Sequence, residues 1–242
     1  MKKLIHLSNL FLFIFKNNIY FSALAIFTLM LSQVLLLVSY FLPIKVLVLL
    51  TRDNISDSLS SIFFNLGREE VILLLTVLVF IAYASYVLLE KYSNLLVKNI
   101  VVKLTGQKEN KFVLKFIDNF IKVSATMNFV LLLYCIVLYL FPLIGIAMLI
   151  YAIIFYIVLH KVKINRQKYN DFFKLSSGLG FMLIFTLEMV SALYFKSENT
   201  SVTKIVIVLV LARYIFTRSI SILNKLLYLY SSSNNFYEKI KR

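Results

Sequence analysis

Long apolar runs, each near the length needed to cross a bilayer, alternate along this chain with polar connections. The runs fall at about 22–50, 71–89, 124–141, 143–159, 175–195 and 203–222, against the ~20 residues an α-helix needs to span hydrocarbon. They are continuous, as from Val71 to Leu89 and from Phe129 to Phe141, whereas strands of a membrane barrel alternate apolar and polar positions over about ten residues. Hydrocarbon offers backbone N–H and C=O groups no partner outside the protein, so continuous runs predict helices. The expectation is an all-α, polytopic helical membrane bundle, with residues 1–242 forming one transmembrane domain of six transmembrane helices. The first run is the longest, and Pro43 within it predicts a bend.

Ahead of that run, Leu4, Leu7, Phe11, Ile14 and Phe15 recur at helical spacing with Lys2, Lys3, His6, Asn9 and Lys16 around them. This pattern predicts an amphipathic helix over 1–19 lying on the membrane surface. Ser22-Ala23-Leu24-Ala25 resembles a signal-peptide cleavage site, but Lys16-Asn17-Asn18 interrupts the apolar region such a peptide needs, so an uncleaved segment is expected.

The connections set the orientation. The one after the first run carries Asp53, Asp57, Glu69 and Glu70 against Arg52 and Arg68. The next carries Lys91, Lys98, Lys103, Lys108, Lys111, Lys115 and Lys122, the one after the fourth run Lys161, Lys163, Arg166, Lys168 and Lys174, and the tail at 223–242 ends Lys239-Ile240-Lys241-Arg242. Basic residues mark the cytoplasmic side, so both termini are expected in the cytoplasm. The second run continues without a breaker to Gly106, and Phe112, Phe116, Phe120 and Val123 lead into the third at helical spacing. A cytoplasmic helical hairpin follows, its tip at Thr105 to Asn110. Pro142, between the third and fourth runs, predicts an antiparallel pair with almost no external loop.

Composition agrees with the pattern. Hydrophobic residues make up 61% of the 242 positions, mean hydropathy is +0.88, and there are five glycines and two prolines, outside the range of soluble domains. The net charge of +15 comes from lysines dispersed in loops on one side, which is positive-inside bias rather than a nucleic-acid surface. Cys135 stands alone inside an apolar run and reads as a small core residue. Tyr20, Tyr40, Tyr92, Tyr194 and Tyr228 lie near the boundaries, where tyrosine anchors helices at the interface in a chain without tryptophan.

The chain reads as a non-enzyme without a cofactor of its own. Its glycines, at 67, 106, 145, 178 and 180, never take the spacing of a phosphate-binding loop, and His6 and His160 form no zinc-ligand pair. His160 is placed in the headgroup layer. The runs hold no aspartate pair and no serine with a companion base for intramembrane proteolysis. Gly178-Leu179-Gly180 reads as a close helix contact.

Three ionisable residues fall inside the runs: Lys45, Glu188 and Arg213. Such groups are costly in lipid and should face the bundle. Counted from the outer ends, Glu188 and Arg213 lie at matching depths of roughly 10 to 14 Å. An ion pair joining the fifth and sixth helices is therefore expected, with Lys45 near enough in height to compete for the carboxylate or hold an anionic substrate group. Arg218 lies closer to the inner boundary, where its side chain can snorkel.

This order of elements, with a surface helix, a first run ending Leu42-Pro43-Ile44-Lys45, a helical hairpin and six spans, resembles the transmembrane domain of ABC exporters. Lys111-Phe112-Val113-Leu114-Lys115-Phe116-Ile117-Asp118-Asn119-Phe120 is similar to the family's stretch after its first coupling helix, with Asp118 as its aspartate, and Asn224 to Lys241 is similar to its exit from the sixth span. The resemblance implies a permease-like subunit of an export complex in the bacterial inner (plasma) membrane, working as a homodimer or heterodimer. ATP would enter only through a separate ATPase subunit contacting Thr105, Gly106, Gln107, Lys108, Glu109 and Asn110. The chain departs from the family where about fifteen residues, His160 to Lys174, replace the long second cytoplasmic excursion, and a subunit lacking the nucleotide-binding domain that commonly follows the sixth span is expected. Two other readings stand beside it: a non-transporting scaffold, accessory or immunity-type protein that binds another membrane component, and a small channel gated at Lys45, Glu188 and Arg213.

Overall fold

A computed structural model describes residues 14–16, 18–51, 67–106, 111–161, 169–194 and 202–241. The surface helix expected at 1–19 is described only in its last turn, and Gln107 to Asn110 at the hairpin tip lie outside the described residues. Among the described residues six long helices follow one another: α1 (Ile19–Thr51), α2 (Arg68–Thr105), α3 (Lys111–Leu140), α4 (Pro142–Lys161), α5 (Tyr169–Tyr194) and α6 (Val202–Lys241). By length and composition α1, α2, α3, α5 and α6 can cross a membrane, and the apolar part of α4 described in full, Pro142–Phe155, is shorter. Large apolar side chains lie outside, Phe80 and Leu73 among them. That distribution suits a lipid solvent, and the chain is an all-α, multi-pass membrane protein.

The chain divides into two compact units. The first holds the residues up to Ala125 together with those from Ser232 onward. Its centre is the pairing of α1 with α2. Ser22, Ala25, Leu29, Ser32, Leu36 and Ser39 are buried at alternating spacings of three and four, a seam of small residues and leucines that lets backbones approach. The hydroxyls of Thr28, Ser32 and Ser39 donate to carbonyls one turn back in α1, at 3.1, 2.7 and 2.7 Å, so these buried oxygens need no partner from lipid. Ser93 of α2 donates to the Ala25 carbonyl at 3.2 Å, while Leu49 packs on Val71 and Leu75. Those two contacts make the pair antiparallel. Pro43 sits inside α1, which continues to Thr51.

The 38 residues of α2 rise about 57 Å, nearly twice the ~30 Å of hydrocarbon, so its lysine-bearing end must leave the lipid. The helix starts at Gly67, whose N–H donates to the Glu70 carboxylate at 2.9 Å, and Glu69 and Glu70 complement the positive end of its dipole. It ends at Gly106, whose φ of 63° is a left-handed conformation that costs glycine little, and whose N–H donates to Val102. Lys103 in the last turn lies over the Phe21 ring at 4.0 Å.

The start of α3 buries Val113, Phe116, Ile117, Phe120 and Ile121 completely, the stripe expected of one helix face. Phe15 meets Phe120 edge to face at 5.7 Å, and Ile14 is fully buried while Lys16 is exposed, as an amphipathic turn requires. The tail expected at 223–242 is helical to Lys241 as part of α6, and Phe236 within it is fully buried. No glycine or proline interrupts Asn224 to Lys241, and a buried aromatic rewards continuing the helix.

The second unit runs from Thr126 to Ser231. Only Phe141 separates α3 from α4. Its N–H donates to Val137 at 2.8 Å and its carbonyl accepts from Gly145 at 3.0 Å, while Pro142 opens α4 at a position where the missing donor is harmless. Tyr134 donates to the Gly145 carbonyl at 3.0 Å. In one straight helix those residues would be roughly 16 Å apart, so the chain folds back on itself here as the sequence predicts. Cys135 is exposed rather than in the core. Its run is apolar on every side, which leaves no periodicity to tell an inward from an outward position.

Candidate functional site

Along α5, Phe173, Ser176, Gly180, Ile184 and Glu188 form the buried face, at spacings of three and four. At Gly180 the absent side chain makes room for rings of the neighbouring helices. A β-carbon there would lie 2.7 Å from Phe216 and 2.8 Å from Tyr151. Those two rings meet edge to face at 5.6 Å. Tyr151 of α4 also donates to the Ser176 carbonyl, and its hydroxyl lies 2.8 Å from Ser176 Oγ. Gly180 therefore makes the close contact expected of the glycine pair, whereas a β-carbon at Gly178 would meet open space.

Beside this junction a cleft of about 420 Å³ opens within the unit, lined by residues of α3, α4, α5 and α6. Met127, Val130 and Leu131 of α3 face Tyr151, Ala152 and Phe155 of α4, Phe173 and Ser177 of α5, and Phe216 and Ile220 of α6. Phe155 stacks on Phe172 at 5.9 Å and meets Phe173 edge to face at 6.0 Å, which stiffens one end. Three of the hydroxyls at the wall are engaged by the protein: Tyr134 with Gly145, Tyr151 with Ser176, and Ser219 with the Ile215 carbonyl at 2.8 Å. The surface is thus almost wholly apolar and partly open, since Met127 and Leu131 are 53% and 61% exposed.

No protein-family model, curated protein or solved structure matches this chain.

Glu188 and Arg213 do not pair as the sequence suggests. Glu188 is 4% exposed and lies on the buried face of α5, as expected of a carboxyl in a span. Arg213 is exposed, and its guanidinium rests over the Phe181 ring at 5.1 Å. The expected Glu188–Arg213 ion pair is not formed, whereas Lys122 and Asp118 do pair, at 2.8 Å. Equal depth along two helices does not imply facing sides, because 100° of rotation separates successive residues. Lys45 is partly buried on α1, in the first unit. Arg218 lies over the Tyr214 ring at 4.9 Å. Asp118 meets Lys122 one turn on, a partly exposed pair of small energetic weight.

At the end of α2, Thr105 donates to the Val101 carbonyl at 2.9 Å and Gly106 is exposed. The cleft escaped sequence reasoning. Its signals were Tyr134 and Tyr151 placed mid-run rather than at a boundary, and the small residues Ser176, Ser177, Gly178 and Gly180 close together.

Proposed function

We propose that this chain is a permease-like membrane subunit of an ABC-type export complex, energised by a separate ATPase subunit. One observation carries the reading: the long α2 ends at a left-handed glycine five residues before α3 begins, and Phe116 near the start of α3 stacks on Phe236 of α6. A partner pushing on the tip at Thr105 to Asn110 would thereby act on the end of a spanning helix. Six crossings with both termini in the cytoplasm follow from the lysine distribution, and the inner membrane of a bacterium is the membrane proposed. Glu188 and Arg213 are assigned to the substrate path, with a homodimer or heterodimer completing the cavity.

The test is affinity purification of the tagged protein in mild detergent, comparing the native chain with one in which Lys108 and Glu109 are both replaced by alanine. Recovery of an ATPase subunit that is lost in the variant supports the export complex. Recovery of no ATPase, or of one bound equally well by the variant, removes it.

A second reading is favoured by the short link between α4, ending at Lys161, and α5, starting at Tyr169. ABC exporters couple to their ATPases through two excursions, and this chain has room for one. A scaffold or immunity-type protein binding another membrane component would need neither, and co-purification of a membrane protein alone, indifferent to the tip, is its signature.

A further inference from the structure

The cleft of the second unit has a shape and chemistry that restrict what can fill it. Its lining extends from Met127 to Tyr134 on α3, from Met148 to Phe155 on α4 and from Ile215 to Leu223 on α6, roughly 10–12 Å along each helix axis. It is a slot parallel to the helices. All of these positions lie within apolar helical segments long enough, or nearly long enough, to cross hydrocarbon. At about 420 Å³ it falls in the range of ~300–1,000 Å³ typical of sites for small molecules.

We propose that the slot holds one hydrocarbon chain of a membrane lipid. Water is a poor occupant, because an apolar cavity stays dry unless several polar groups can hold the water: the wall hydroxyls of Tyr134, Tyr151 and Ser219 are bonded to the protein, and the Ser177 hydroxyl alone does not supply several. Leaving the slot empty forfeits dispersion contacts along its length. Lipid chains are the neighbours at this depth, they run in the direction of the slot, and the exposed Met127, Leu131 and Leu149 place its mouth within their reach. Association within lipid gains nothing from the hydrophobic effect, so the fit of chain to wall decides occupancy.

Gly180 sets that fit. A methyl group there would press on Phe216 and Tyr151, whose rings line the slot. Ring atoms at the ends of side chains can yield, and the free space into which they yield is the slot itself. Gly180→Ala is therefore expected to narrow the slot without breaking the helix.

The test uses the full chain in vesicles of phosphatidylethanolamine and phosphatidylglycerol containing a phospholipid with a photoactivatable group on its acyl chain. After illumination, labelled peptides are mapped by mass spectrometry. Labelling is expected to concentrate on Met127, Ala152 and Ile220 over outward residues of α2 such as Leu73 and Phe80, and to fall several-fold at the slot alone in Gly180→Ala. Ala152→Phe, which puts a ring into the slot, is a second blocking variant should Gly180→Ala fail to give a monodisperse preparation. Uniform labelling, labelling unchanged in both variants, or cross-links from the slot to a second copy of the chain would overturn the proposal. The assay contains no ATPase, so its failure leaves the export-complex reading untouched, and the loss of that reading leaves the slot standing.

Discussion

Phe116 of α3 and Phe236 near the end of α6 stack with ring centroids 4.1 Å apart and planes 23° from parallel, and both are completely buried. A pair separated by more than a hundred residues thus ties the start of α3 to the last turns of α6. Phe236→Ala should destabilise this contact by about 3–5 kcal/mol. The expected result is release of the segment from Asn224 onward, read as faster proteolysis of the C-terminal peptide in detergent, with Phe236→Leu cut more slowly. Equal cutting of native protein and Phe236→Ala would show that the stack does not hold the segment.

The α3–α4 reversal rests on Gly145, where a β-carbon would lie 2.8 Å from the Leu138 Cα. Backbone cannot swing aside as a ring can, so Gly145→Ala should destabilise by about 1–3 kcal/mol. Tyr134→Phe, which removes only the hydrogen bond to the Gly145 carbonyl, should cost about 0.5–1.5 kcal/mol. Thermal melting in one detergent ranks the two. If Tyr134→Phe melts below Gly145→Ala, the close approach is not what sustains the turn.

Gly106 offers a cleaner test, because a β-carbon there meets nothing within 4 Å and only the φ of 63° opposes it. Gly106→Ala should cost roughly 1–2 kcal/mol, and Gly106→Asn less, since asparagine tolerates the left-handed region. Identical melting of the native chain and both variants would argue against a left-handed turn at this position.

The separation of Glu188 from Arg213 predicts the absence of coupling between them. In a double-mutant cycle of Glu188→Gln and Arg213→Ala, the two effects should add to within about 0.5 kcal/mol. Arg213→Ala alone should cost about 0.5–1 kcal/mol by loss of its contact with Phe181. A coupling energy well above the additive limit would restore the ion pair that their equal depth suggests.

Class and environment were legible in the residues alone. Continuous apolar runs admit only a solvent of lipid and a helical backbone, because unpaired peptide groups have no other partner there. The length of α2 was visible as well: no breaker stands between Glu90 and Thr105, and Gly106 is a residue that can end a helix in the left-handed region. Rotation about the helix axes was not. In Phe129 to Phe141 every side of the helix is apolar, so the sequence carries no moment to say that Val137 turns inward and Cys135 outward. For the same reason Glu188 and Arg213 matched in depth on paper while Arg213 rests on Phe181. The slot beside Gly180 was hidden more deeply, since it depends on side chains from four helices whose spacing is set by packing. What the sequence determined by itself was a multi-pass helical membrane protein, through backbone hydrogen bonding and hydrophobicity. What tertiary structure decided was which side of each helix meets its neighbours, because in an apolar solvent that choice is made by small residues, ring contacts and dispersion rather than by burial of greasy surface.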